Sequence, residues 1–447
     1  MRRPAARSDK RAAYPAYKPS GMDWVGDIPG HWDVRRVKYT ASINDEALSE
    51  TTNPEFEFTY VDIGSVDAVK GIVTTVVYRF EDAPSRARRI VRDGDTIVST
   101  VRTYLRAIAP IRNPEDNLIV STGFAVVRPR TLNAGYLSYT LRSPFFVETV
   151  VSRSTGVSYP AINALEVGNI GVTIPPLEEQ RAIAAFLDHE TARIDALIEK
   201  KQRQIELLQE KRSALMSHAV TKGLDPDAKM KDSGVEWLGE IPAHWDLPPL
   251  YARYSVELGK MLDAKRFTGN YLLPYLRNVD VQWDRVNVEN LPEMDIEPDE
   301  YSRFTLADGD LLVCEGGEVG RTAMWSSELP VCAFQKAIHR VRPRSSQDVP
   351  RFYYYIMRAT AWSGVFLAYG NPNTIPHLTA EKLRVYRFPF PPHDEQEMIV
   401  QHLDFETQRI DALVAKVKTS IDKLQEFRTA LVSAAVTGKI DVRKEVS

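Results

Sequence analysis

The sequence has little of what usually announces an activity. It carries two cysteines in 447 residues, Cys314 and Cys332, far apart and without the paired spacing of a zinc site. Such sparing use suits a reducing, cytoplasmic setting. No run of about 18 apolar residues occurs, so no segment is expected to span a membrane. The first twenty residues are basic and polar and lack the apolar core of a secretory signal. They read as a disordered tail over residues 1–19.

Excess positive charge is also missing. The formal net charge is −3, which argues against a protein that coats nucleic acid indiscriminately but leaves room for a local basic surface. Residues 34–173 and 247–390 are each near neutral, and arginine greatly outnumbers lysine in the first stretch. Arginine's planar fork fits guanine edges and phosphates, and equally fits surface ion pairs.

Nucleotide and metal motifs are absent as well. No Gly-x-Gly-x-x-Gly loop follows a strand. Gly316–Gly320 lacks the Lys-Ser/Thr ending of a phosphate loop, and Gly438-Lys439 lacks its upstream glycine. Asn371–Thr374 lacks the aromatic of an amino-methyltransferase motif and reads as a turn. Asp93-Gly-Asp95 reads as a hairpin turn rather than a metal site. No cluster of carboxylates and lysine supports a nuclease.

What is present is an internal repeat of roughly 215 residues. Ser20–Asp33 returns as Ser233–Asp246, sharing the pattern Trp-x-Gly-acidic-Ile-Pro-x-His-Trp. Tyr60-Val-Asp-Ile weakly matches Tyr275-Leu-Arg-Asn, Asp93–Val98 matches Asp308–Val313, and Arg106 falls opposite Arg321 in that register. Val127–Arg130 matches Val341–Arg344, and Ile174–Gln180 matches Phe390–Gln396. Trp24, His31, Trp32 and their copies Trp237, His244 and Trp245 could stack on bases, but they read better as a packed strap at the start of each domain.

Each globular segment reads as α/β with many short strands. Asp-Gly-Asp leads into buried strands, Gly71–Tyr78 favours a strand, and Tyr136–Arg142 and Arg351–Arg358 read as short buried helices. After Pro175-Pro176 no proline or glycine appears until Gly223, which predicts a helix of up to about 45 residues, roughly 65 Å long. Its apolar stripe includes Ile194, Ile198, Ile205, Leu208 and Leu215, and the copy gives Ile410, Val414, Val417, Ile421, Leu424 and Leu431. Steps of three and four form a coiled-coil seam, and two such seams in one chain most simply pair with each other, here antiparallel. Lys201 against Val417 is one asymmetry in that seam. The expected division is a tail at 1–19, a domain at 20–175, a long helix at 176–222, a linker at 223–233, a second domain at 234–390, a second helix at 391–441 and a tail at 442–447.

Several of these motifs, in this order, resemble the DNA-specificity subunit of type I restriction–modification systems. Those that carry the likeness are Gly234–Trp245, Ile174–Gln180, Leu187–Asp195, the pair Arg193–Leu197 and Arg409–Leu413, and Thr374–Leu378 before Pro391-Pro392. The likeness runs from about residue 18 to 441. The first copy departs from it at Tyr159–Ile162, where the family pattern has a histidine. The resemblance implies two target-recognition domains, each reading half of a split site in double-stranded DNA, with the paired helices as a ruler in a pseudo-twofold tandem repeat. It implies docking of two modification subunits, which bind the methyl donor and methylate adenine. It also implies motor–nuclease subunits that use ATP and magnesium, while this chain is non-catalytic and holds no cofactor. For base or phosphate contacts we expect exposed basic residues in the loops after the Asp-Gly-Asp strands: Arg102, Tyr104 and Arg106 in the first copy and Arg321 in the second, with Lys336 as a further candidate. The alternative is a coiled-coil interaction scaffold that does not bind DNA.

Overall fold

A computed structural model describes residues 12–262, 268–368, 377–443 and 445. The turn expected at Asn371–Thr374, and residues 374–376 of the Thr374–Leu378 motif, lie outside them. The chain forms two compact units. One takes the residues up to Lys201 together with those from Thr419 onward, and the other takes Gln202–Lys418.

In the first unit an antiparallel sheet has the strand order Ile108–Pro110, Thr96–Ser99, Phe124–Pro129, Ala41–Ile43. A second sheet runs Val76–Arg79, Glu57–Val61, Leu118–Ser121, Ala87–Ile90, with the central pair parallel. The second unit repeats the first arrangement and three of the four strands of the second. Its first sheet has the order Thr322–Met324, Leu311–Cys314, Ile338–Pro343, Tyr254–Leu258. Its second places Leu272–Leu276 parallel to Ala333–Phe334 and antiparallel to Glu293–Asp295. The strands after Asp-Gly-Asp are buried along their whole length. Gly71–Tyr78 is not one strand: Gly71–Ile72 and Val76–Arg79 pair with different partners.

The long helices span Leu177–Lys222 and His393–Val436. Both begin just after Pro-Pro, with acidic residues in the first turn that complement the exposed N–H groups there. Gln180 and Gln396 brace each start, donating to the Pro175 and Pro391 carbonyls and accepting from Asn133 N and Val349 N. Within each unit the two helical segments run antiparallel. In the first, Asp195 meets Arg428 at 3.2 Å while Tyr136 and Thr173, next to the start of the first helix, bond the Val436 carbonyl. In the second, Asp411 meets Arg212 at 3.0 Å while Gly223 lies beside Glu395. Only the domain-proximal part of the apolar stripe joins the cores: in the first unit Ile194 and Leu431 pack with Trp32, Tyr136 and Phe146, along with Ile183, Leu187 and Val436.

Three boundaries differ from expectation. Residues 14–19 are not a disordered tail. Tyr14 is buried, packs edge-on against Trp32 and donates to Glu179, and Tyr17–Pro19 pairs with Asp27–Pro29. The stretch 223–233 is not wholly linker, because Met230–Asp232 pairs in the same way with Glu240–Pro242. The second helix ends at Val436, yet Val442 is fully buried and Asp441 N bonds the Ala12 carbonyl at 2.7 Å. At the two chain ends Tyr14 and Val442 dock on the core and bring the backbone with them.

Candidate nucleic-acid interface

The repeated motifs are mounts. In the first domain Asp95 is 1% exposed and takes two hydrogen bonds from Arg128, at 2.9 and 2.8 Å, and Arg128 also reaches Glu46. In the second, Asp310 takes two from Arg342, each 2.6 Å. Asp-Gly-Asp is therefore more than a turn. Its second aspartate locks a strand to its neighbour through the arginine of Val-Arg-Pro-Arg, in paired bonds that fix angle as well as distance. Among the described residues no group of side chains is arranged to hold a metal ion. Burial pushes the Cys314 thiol up to about 11 and the Cys332 thiol to about 12, so both stay protonated and inert.

The straps are mounts too. Trp32 and Trp245 are fully buried. Each donates its indole N–H to the first-turn glutamate of its long helix, at 2.9 Å to Glu179 and 3.0 Å to Glu395, and His31 and His244 bond the same carboxylates at 2.7 and 2.8 Å. Base stacking by these two tryptophans is excluded by burial. Trp24 is exposed, whereas Trp237 packs edge-on against Phe388.

The loops mounted on these scaffolds differ. In the first domain the chain leaving Ser99 makes a tight turn at Thr103–Leu105. Arg102 (φ 51°) and Arg106 (φ 54°) flank it, both left-handed, a conformation costly for any residue with a Cβ. The turn is held at Thr103, whose hydroxyl bonds Ser154 at 2.8 Å, and by bridging of Val101 to Ala161. Arg102 lies 5.2 Å over the exposed Tyr159 ring, Tyr104 is 53% exposed, and Arg106 pairs with Glu148 at 2.7 Å. Arg102 also lines a cleft of about 540 Å³ with Tyr60, Asp62, Tyr78, Arg86 and Ser121. The structure thus gathers Arg102, Tyr104 and Arg106 on one exposed loop beside a cleft with both charge signs.

Arg321 requires a correction. It is not an exposed basic residue: its side chain is 12% exposed and donates to the Asn278 backbone and side-chain oxygens at 2.9 and 2.8 Å. The reason is a one-residue slip in the hairpin. Val98 pairs with Ile108 and Val313 with Thr322, so Arg321 corresponds to the buried Ala107, while Arg106 corresponds to Gly320, also left-handed (φ 80°). Lys336 is exposed. Asn278 ties its loop to the hairpin loop by donating to the Gly316 and Ala337 carbonyls. Sequence reasoning missed Asp62, Arg86, Tyr159 and Arg277. The weak match of Tyr60–Ile63 to Tyr275–Asn278 was the available pointer to two of them.

Comparison with known proteins decides the class of this scaffold. The family described as the type I restriction modification DNA specificity domain matches residues 83–207 and 255–423, more than half of the chain. The chain belongs to that family. It is similar along nearly its whole length to the putative type I restriction enzyme MjaX specificity subunit of Methanocaldococcus jannaschii, with 22% identity over 94% of this chain and 96% of that one. The EcoKI specificity subunit of Escherichia coli is 26% identical over 42% of this chain and 39% of that one. Among solved structures, a chain described in work on complex assembly and conformational transition of the type I R-M system superposes with a TM-score of 0.73 at 24% identity, covering 92% of this chain and 99% of its own. The HsdS subunit of Thermoanaerobacter tengcongensis gives 0.54 at 25%, covering 92% and 98%. The chain therefore presents two specificity domains on matched mounts, each fixed to a long helix. No described helix is long and apolar enough to cross a membrane.

Proposed function

We propose that each domain reads one half of a split site in double-stranded DNA. The long helices fix the gap and offer docking faces to two modification subunits, which bind the methyl donor and methylate adenine. Motor–nuclease subunits using ATP and magnesium join to cleave unmodified DNA. On this reading the chain itself is non-catalytic, holds no cofactor and works in the cytoplasm. The observation that carries it is the contrast between the paired mounts Asp95–Arg128 and Asp310–Arg342, which are alike, and the loops they carry, which are not. Two readers of different sequences on equivalent scaffolds need that division. Half-sites one DNA turn apart lie roughly 34 Å from each other, a span that helices of this length can bridge. Deleting the gene in a host with its partner subunits should abolish one split adenine-methylation motif, and an unchanged genome-wide methylation pattern refutes the proposal. Inserting about one helical turn next to Gly223 should alter the gap and leave both half-sites intact.

A further inference from the structure

Two short 3-10 turns occupy equivalent places and present opposite chemistry. Ile63–Ser65 is capped by the Asp62 side chain, whereas Arg277, which opens Asn278–Asp280, makes no side-chain cap bond and donates its backbone N–H to Asp280. Each follows the strand that pairs in parallel within its domain, through Val61 with Val120 and Leu276 with Phe334. Each also abuts the hairpin loop of the candidate interface. Asp62 and Ser65 share a cleft with Val101 and Arg102, and Asn278 bonds Gly316 and Arg321.

Arg277 is held in an unusual way for a surface arginine. Its Nε and Nη2 donate to the two oxygens of Asp280, both at 2.8 Å, and its backbone N–H donates to the same carboxylate at 2.8 Å. The Asp280 side chain is 2% exposed while that of Arg277 is 41% exposed. Burial alone would raise the Asp280 carboxyl, but the hydrogen bonds from Arg277 outweigh it and hold the group below its usual range, so it stays ionised. The carboxylate thus grips one edge of the guanidinium. A guanidinium has five N–H donors in a rigid fork, and Asp280 takes two of them. The end-on edge, made of Nη1 and the second hydrogen of Nη2, makes no hydrogen bond among the described residues. That edge offers two parallel donors at the spacing of guanine O6 and N7.

We propose that Arg277 reads a guanine in the half-site recognised by the second domain, with Asp280 as its positioning residue. Asp62, at the matching place in the first domain, can only accept. Its Oδ1 takes the Ser65 N–H and hydroxyl, and the carboxylate suits the exocyclic amino group of cytosine or adenine. This inference rests on the bipartite reading above.

The test uses the assembled modification complex. Its methylation motif is mapped for the wild type and for Arg277→Ala, Arg277→Lys and Asp280→Asn. Arg277→Ala should cost about tenfold or more of the preference for guanine at one position of the second half-site and leave the first half-site unchanged. Arg277→Lys keeps the charge but not the fork and should relax the same position while preserving the salt dependence of binding. Asp280→Asn should relax that position partially. An unchanged second half-site in Arg277→Ala makes the pair an ordinary surface ion pair and overturns the proposal. So does uniform weakening over all sequences with a shallower salt dependence, which marks a phosphate contact. If Arg277→Ala loses the whole half-site through misfolding, Arg277→Lys decides, and retained guanine preference there also overturns it. A wild-type complex with no split motif would instead sink the bipartite reading.

Discussion

In the first domain the hairpin loop after Thr96–Ser99 holds two arginines in left-handed backbone beside an exposed tyrosine. In the second domain the corresponding loop uses Gly317 and Gly320 for its left-handed positions and turns its arginine inward onto Asn278. Beneath both loops sits the same buried aspartate gripped by an arginine, and at the base of both domains a tryptophan and a histidine share one helix glutamate. Mounts have few solutions, because a buried carboxylate without its partner is severely penalised, so both copies keep the same pair. A loop tip in water meets no such constraint and is free to specialise. The domains therefore agree where the fold is held and differ where a ligand would be met.

The sharpest way to break the shared part is Arg128→Met, which takes the guanidinium from the fully buried Asp95 and one of two arginines from Glu46, leaving Arg92. We expect a loss of about 3–5 kcal/mol in denaturant unfolding, and a smaller one, about 2–3 kcal/mol, for Arg342→Met, whose side chain is more exposed and holds only Asp310. Equal losses would mean that the Arg128–Glu46 bond contributes nothing. Next in size are the helix glutamates. Glu179 accepts from Tyr14, His31 and Trp32 and lies 3.7 Å from Arg443, whereas Glu395, among the described residues, accepts from His244 and Trp245. Glu179→Ala should cost about 2–3 kcal/mol and Glu395→Ala about 1–2 kcal/mol. A reversed order contradicts the count of partners.

A subtler comparison concerns Arg106→Gly, which gives the first loop the backbone freedom of the second. Relief of left-handed strain is worth up to about 1 kcal/mol, set against loss of the Arg106–Glu148 pair. Stability should stay level or rise slightly while affinity for the first half-site falls and that for the second holds. A fall in stability with no change in DNA binding would make Arg106 a structural residue.

The mounts were half legible in the sequence. Asp-Gly-Asp and Val-Arg-Pro-Arg each stood out by repetition, but the bond between Asp95 and Arg128 depends on the pairing of Thr96 with Val127, which no local pattern contains. The straps and the helix starts were readable because proline, acid and aromatic residues act within a few positions of each other. Arg321 was misplaced because aligning two sequences cannot see which residue of a hairpin turns over. The slip of one position matched an exposed arginine to one turned inward onto Asn278. Tyr14 was lost in a basic segment because its partners, Glu179 and Arg443, are remote in sequence. Arg277 and Asp62 could be found only once the turns they open were seen to touch the loops.

The smallest expected difference between the copies lies in their response to acid. Val313 pairs with His339 where Val98 pairs with Ala125. His339 is fully buried and bonds the Leu378 carbonyl at 2.6 Å. Burial lowers its pKa from the ordinary 6.5, only partly countered by that hydrogen bond. A histidine with a depressed folded-state pKa gives stability that is present above its unfolded pKa and is lost as pH falls through the folded one. Between pH 7 and the acid side of 6.5, the second domain should therefore lose stability that the first, with alanine at the same place, keeps. Thermal unfolding followed by hydrogen exchange at both pH values resolves the domains separately. The gap between them should widen in acid for the wild type and close in His339→Ala, whose lower stability at neutral pH does not affect the sign of that change. If the gap in His339→Ala widens as much as in the wild type, the acid response belongs to another group.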